Sequence, residues 1–161
     1  MSTNPPETGW ESSCSFRATA VSSRFAAPLL LRAGRGLIVN TVAWSFEEYL
    51  GNLFYDTAKA AIVRMSFGMA TELRPHGVAA VALAPGFMRT ERVMAAHKQQ
   101  PFPLDGTESP YYLGRAVAAL AADPAVMAKT GRVLTVGELA PEYGFTDLDG
   151  TRPPPFRMPT A

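Results

Sequence analysis

Cysteine is almost missing from this chain of 161 residues: Cys14 stands alone, which excludes an internal disulfide framework. Two histidines, His76 and His97, add few soft ligands, so no structural zinc or other metal site is expected. There is no surplus of one charge either. Lys and Arg number 15 against 14 Asp and Glu, a net charge of +1, and a nucleic-acid partner is not expected without a basic excess. Long hydrophobic runs are lacking. The longest, over 25–31 and 78–88, fall short of a membrane span and each contains proline, so no membrane partner is expected. The first 11 residues have no basic patch followed by an apolar run, which argues against a secretory leader and for a cytoplasmic protein. Glycine is sparse at the front: Gly9 and Gly34 are the only two before Gly36. A closely spaced glycine loop of the kind that holds a pyrophosphate at a helix N-terminus is therefore absent from that stretch.

What is present is a core-forming composition, 47% hydrophobic and 18% charged, sufficient for one domain. Residues 1–15, rich in Ser, Thr, Pro and Glu, read as a loose lead-in. Residues 141–161, with Pro153, Pro154, Pro155 and Pro159 near the end, read as an extended arm. Between them, apolar spacing predicts a helix over 16–31, with Pro28 casting doubt on its last turn. A buried strand is expected over 37–42 and an irregular loop over 44–54. A long helix follows over 56–74, with Ala58, Ala61, Ile62, Met65, Met69 and Leu73 at spacings of three and four. A second strand is expected over 78–84, a short polar helix or lid over 89–98, and a helix after Ser109-Pro110. A third strand is expected over 132–136. Alternating helix and strand argues for an α/β layer fold on a parallel sheet.

Tyr55 and Lys59 stand four apart at the start of the long helix, which puts both on one face. A lysine cation beside a phenol favours the phenolate and is expected to lower the tyrosine pKa toward neutrality. Such a tyrosine passes protons to or from a substrate oxygen. His76, His97, Glu47, Glu48, Arg89 and Arg92 read as polar surface, the last four as solvated charges. Met65 and Met69 read as core or interface filler.

Four pieces carry a resemblance when read in order: Gly36-Leu37-Ile38-Val39-Asn40, then Tyr55-Asp56-Thr57-Ala58-Lys59-Ala60-Ala61, then Glu72-Leu73-Arg74-Pro75-His76-Gly77-Val78, then Pro85-Gly86 through Thr90. In order and spacing the chain resembles the second half of the short-chain dehydrogenase/reductase family, over about residues 20–137. It looks most like the branch that includes the mammalian dehydrogenase/reductase member 1. The resemblance implies a partial Rossmann-like three-layer α/β fold with about three parallel strands and the N-terminal half missing. It implies hydride transfer between NAD or NADP and a small-molecule alcohol or carbonyl. Tyr55 would be the catalytic acid/base. Lys59 would lower its pKa and bind the nicotinamide ribose. Pro85 and Gly86 would lie along the nicotinamide, and Thr90 would meet the carboxamide or a phosphate. The family's helix around Met65 and Met69 often packs on a second copy, so a homo-oligomer is expected. The family's catalytic serine falls thirteen residues before the tyrosine, which here is Val42. Thr41 is the neighbouring hydroxyl that could substitute, and Ser45 is a weaker one. The alternative to an active enzyme is a catalytically inactive remnant that acts, if at all, through association.

Overall fold

The computed structural model describes residues 10–43, 49 and 51–157, the first five of these as backbone alone. Three strands, β1 (Gly36–Thr41), β2 (Val78–Ala84) and β3 (Val133–Thr135), form one parallel sheet in the order β1-β2-β3. Asn40 pairs with Ala82 and Thr41 with Leu83 between β1 and β2, and Leu83 pairs with Leu134 between β2 and β3. All seven residues of β2 are buried. Its Val-Ala alternation has no polar face because helices cover both sides of a central parallel strand.

Helices α1 (Trp10–Ala33) and α2 (Leu53–Leu73) lie on one face. There Ile38, Val78, Ala80, Ala82 and Ala84 pack against Ile62, Ala70 and Leu73. Helices α4 (Pro110–Ala122) and α5 (Val136–Tyr143) cover the other face, where Val81, Leu83 and Leu134 meet Tyr112, Ala116, Leu120 and Leu139. A short α3 (Glu91–Gln99) follows the loop after β2. The three-layer α/β fold expected from the alternating pattern is the fold observed.

Several boundaries differ from expectation. The lead-in is not loose throughout: α1 starts at Trp10. Pro28 does not end α1, which runs on to Ala33; Leu30 anchors that last turn by packing on Ile38 and its neighbours. β3 is three residues long, and Val136 begins α5 instead of ending the strand. Thr135 caps that helix by accepting a hydrogen bond from the Glu138 backbone N–H, a cap that the β-rich composition of 132–136 concealed. Consequently the C-terminal arm starts after Tyr143, at Gly144, and not at residue 141. One turn requires its glycine. Gly77 adopts φ 72° after α2 and its short 3-10 extension, and a β-carbon there would lie 2.6 Å from the Gly34 carbonyl oxygen.

Candidate active site

Parallel α/β sheets bind ligands beyond the carboxyl ends of their strands. Here that edge is formed by Thr41 at the end of β1, Pro85-Gly86 just after β2, and the N-terminal turns of α2. Asn52 starts α2: its side-chain oxygen accepts from the Tyr55 backbone N–H at 3.0 Å, so the cap and the candidate catalytic residue are joined directly. Asn40 Nδ2 donates to Ser66 Oγ at 2.9 Å, and Ser66 Oγ donates to the Ile62 carbonyl at 2.8 Å. This buried pair ties β1 to α2 and sets the height of Lys59 against Thr41.

Tyr55 and Lys59 come together as their spacing requires. The Lys59 ammonium lies over the Tyr55 ring, 5.4 Å from its centroid. The expected electrostatic effect is not what the surroundings produce. Burial raises the Tyr55 phenol above its usual pKa, and burial lowers the Lys59 ammonium. A cation over the face of the ring acts on the π system, and desolvation prevails over any help it gives to a phenolate.

Thr41 is exposed and lines, with Lys59, Asn40 and Ser23, an open cavity of about 610 Å³ between α1 and β1. Val42, the residue in the family's serine position, is 1% exposed and packs in the core against Ile62 and Ala84. Strand alternation sends the two neighbours to opposite sides, so of these two residues Thr41 holds the accessible hydroxyl. Ser45, Glu47 and Glu48 lie outside the described residues. Thr90 serves as the N-cap of α3, its hydroxyl oxygen accepting from the Val93 N–H at 3.3 Å; the hydroxyl hydrogen stays available to a ligand. The segment 89–98 is helical from Glu91 on.

Arg89 is not a solvated charge. Its guanidinium donates to the Thr107 carbonyl at 2.7 Å and to Asp147 Oδ2 at 3.1 Å. Asp147, fully buried, also accepts from the Ser109 N–H at 2.7 Å, the Ser109 hydroxyl, and the Leu148 N–H at 2.7 Å. Burial pushes Asp147 up, and these donors with Arg89 hold it below the usual carboxylate range. Beside it sits Glu108, 1% exposed, with no hydrogen bond to either carboxyl oxygen among the described residues. Burial pushes Glu108 up to about 7, and the nearby Gly86 backbone N–H only partly opposes the rise. A β-carbon on Gly86 would lie 3.0 Å from Glu108 Oε2 and 3.8 Å from Phe156 Cβ. Sequence reading missed both acids. Glu108 stands just before the Ser109-Pro110 helix start with no pattern of its own, and Asp147 lies in what reads as an extended arm.

At the carboxyl edge of the three-stranded parallel sheet, Tyr55 and Lys59 stand one turn apart on α2, and the Pro85-Gly86 turn follows β2. Comparison with known proteins identifies the family. Residues 5–101 match the short chain dehydrogenase family, and the chain belongs to that family. Dehydrogenase/reductase SDR family member 1 of Mus musculus is 36% identical over 84% of this chain and 47% of its own length; the Homo sapiens protein is 34% identical over 90% and 50%. The chain thus spans about half the length of these curated relatives. Among solved structures, a protein assigned as an NAD(P)-dependent gluconate 5-dehydrogenase from Beutenbergia cavernae, with NADP bound, superposes at a TM-score of 0.65. It is 28% identical, over 80% of this chain and 56% of that one. An oxidoreductase of the same family from Burkholderia thailandensis gives a TM-score of 0.65 at 28% identity, over 74% and 49%.

The family is one of NAD(P)-dependent oxidoreductases. Toward the nicotinamide end of that cofactor the chain offers Lys59, which lines the cavity with Thr41; the side of Gly86 where a β-carbon would stand faces Glu108 and Phe156. Among the described residues, no helix is long and apolar enough to cross a membrane.

Proposed function

We propose that this chain supplies the proton-transfer and nicotinamide-side half of an NAD(P)-dependent oxidoreductase site acting on a small-molecule alcohol or carbonyl. The observation that carries the reading is the placement of Tyr55 and Lys59 on adjacent turns of α2, with Lys59 and Thr41 at one end of an open cavity that runs along β1 beside α1. The bound nicotinamide supplies or accepts the hydride. In reduction, the Tyr55 hydroxyl gives its proton to the substrate oxygen; in oxidation, the deprotonated phenol takes it back. A phenol kept protonated by burial suits the first direction. Lys59 binds the ribose side of the cofactor, and Thr41, on the opposite side of β1 from the buried Val42, is the strand-end hydroxyl that would serve the substrate oxygen. A cytoplasmic location goes with this reading; a single cysteine calls for no oxidising compartment.

Titration of the purified chain with NADH and NADPH, followed by nicotinamide fluorescence and calorimetry, tests the reading. Saturable binding that weakens in Lys59→Ala supports it. A folded chain that binds neither nucleotide at millimolar concentration refutes it.

A second reading rests on the surface. β1 is paired on one side alone among the described residues, and α1 exposes Val21, Phe25 and Leu29. An open edge beside an apolar helix face invites pairing with another chain. In this reading the chain is a homo-oligomer, and an inactive family member would still associate. Sedimentation across a concentration series checks it, a strict monomer being the contrary result.

A further inference from the structure

Glu108 is the buried group that no step above uses. Its backbone is held by a small ladder: the Glu108 N–H donates to the Phe87 carbonyl at 3.0 Å, and the Arg89 N–H donates to the Glu108 carbonyl at 2.7 Å. The ladder fixes the carboxyl group directly behind Gly86, 3.0 Å from where a β-carbon would stand. The C-terminal arm closes the same spot from outside. Tyr112 hydroxyl donates to the Pro153 carbonyl at 3.3 Å, Pro154 and Pro155 press on Gly137, and Phe156 comes to rest beside Gly86.

Two carboxyl groups face this corner, and its donors go to one of them. Asp147, on the arm, takes Arg89, Ser109 and the Leu148 N–H. Glu108 has none. The charged groups facing it are Asp147 from the arm, which disfavours its charge, and Arg89 from the loop after β2, which favours it; the Gly86 N–H, a backbone donor, also favours the charge, and Tyr112 from α4 faces it as a neutral phenol raised by burial and by Glu108. Where two acids share one cation unequally, the one without donors keeps its proton.

We infer that Glu108 is a positioning residue for the turn at Pro85-Gly86: its uncharged carboxyl, packed between Gly86 and the C-terminal arm, sets where that turn stands, and loss of its proton displaces the turn. A carboxylate there needs more donors or water; the Gly86 N–H lies close on one side and Phe156 closes the other. The importance of the turn for cofactor binding rests on the function proposed above; the coupling itself is a property of the chain without cofactor.

The test is an NMR titration of the full chain, free of nucleotide, from acid to mildly alkaline pH, following the Glu108 carboxyl carbon and the Gly86 amide. Both signals should move together with a midpoint near 7, and the Gly86 amide should lose protection from hydrogen exchange above that midpoint. In Glu108→Gln, which keeps shape without charge, the Gly86 transition should vanish and the amide should hold its low-pH position throughout. A Glu108 carbon titrating in the ordinary carboxylate range, a Gly86 amide that ignores the Glu108 midpoint, or a transition that survives in Glu108→Gln overturns the inference. The wild-type titration decides even where the variant does not fold. NADPH added afterwards to wild type and Glu108→Gln reads the proposed function separately: absence of binding to both counts against that function and leaves the Gly86–Glu108 coupling as measured.

Discussion

The Lys59 ammonium stands over the ring face of Tyr55, 5.4 Å from its centre. In this arrangement burial raises the Tyr55 phenol and lowers the Lys59 ammonium. Both shifts oppose the lowering of the phenol that the spacing of the pair alone suggests. Phenolate absorbance of the free chain, taken as the difference between wild type and Tyr55→Phe, should titrate above the ordinary value of 10. A difference signal near neutrality would show that the lysine outweighs desolvation. If the chain turns over, Tyr55→Phe should cut the rate by about 10²–10⁴-fold, the usual worth of a general acid or base.

Gly86 and Glu108 compete for the same space. Gly86→Ala places a methyl group 3.0 Å from Glu108 Oε2, which forces the acid or the turn to move. Gly86→Ala should destabilise the chain, and adding Glu108→Ala should return part of the loss, a coupling of about 0.5–3 kcal/mol in a double-mutant cycle by urea unfolding. Simple additivity of the two changes would show that the sites do not touch.

Glu108 also predicts a pH slope in stability. Its folded pKa, about 7, is raised from the ordinary 4.5, so the folded state binds the extra proton. The contribution is fully present below pH 4.5 and is lost as pH rises through about 7. The span corresponds to about 3 kcal/mol as an order of magnitude. Glu108→Gln should therefore match wild type in acid and exceed it in stability at pH 8, an ordering that denaturant midpoints at the two pH values would establish or reverse.

The bond from Asn40 to Ser66 holds β1 on α2. Asn40→Ala leaves a cavity and deprives the Ser66 hydroxyl of its buried donor, a cost of about 1–3 kcal/mol. Replacing both partners by apolar residues, as in Asn40→Leu with Ser66→Ala, should cost less than the sum of the single changes. Chemical denaturation of the set measures this.

Asn52 accepts from the Tyr55 N–H. Asn52→Ala should cost about 1 kcal/mol as a lost N-cap and fray the turn that carries Tyr55. Faster exchange of the Tyr55 amide would report it; unchanged exchange would mean that packing alone holds the turn.

The sequence by itself determined the layers and the pairing of Tyr55 with Lys59. Helical spacing in 56–74 and the unbroken apolar run of β2 leave few alternatives, because period and burial follow directly from residue order. Tyr55 and Lys59 meet for the same reason: an interval of four is a contact on any α-helix. Tertiary structure decided everything that depends on residues far apart in the chain. Asn40 finds Ser66 across 26 positions, and Asp147 draws in Arg89 across 58. Thr41 keeps its accessible hydroxyl because pairing with Leu83 turns Val42 into the core. The protonation of Glu108 and Tyr55 belongs to this second group. Desolvation depends on which surfaces fold back over a group, and no local pattern around Glu108 announces that Gly86 and Phe156 will close on it.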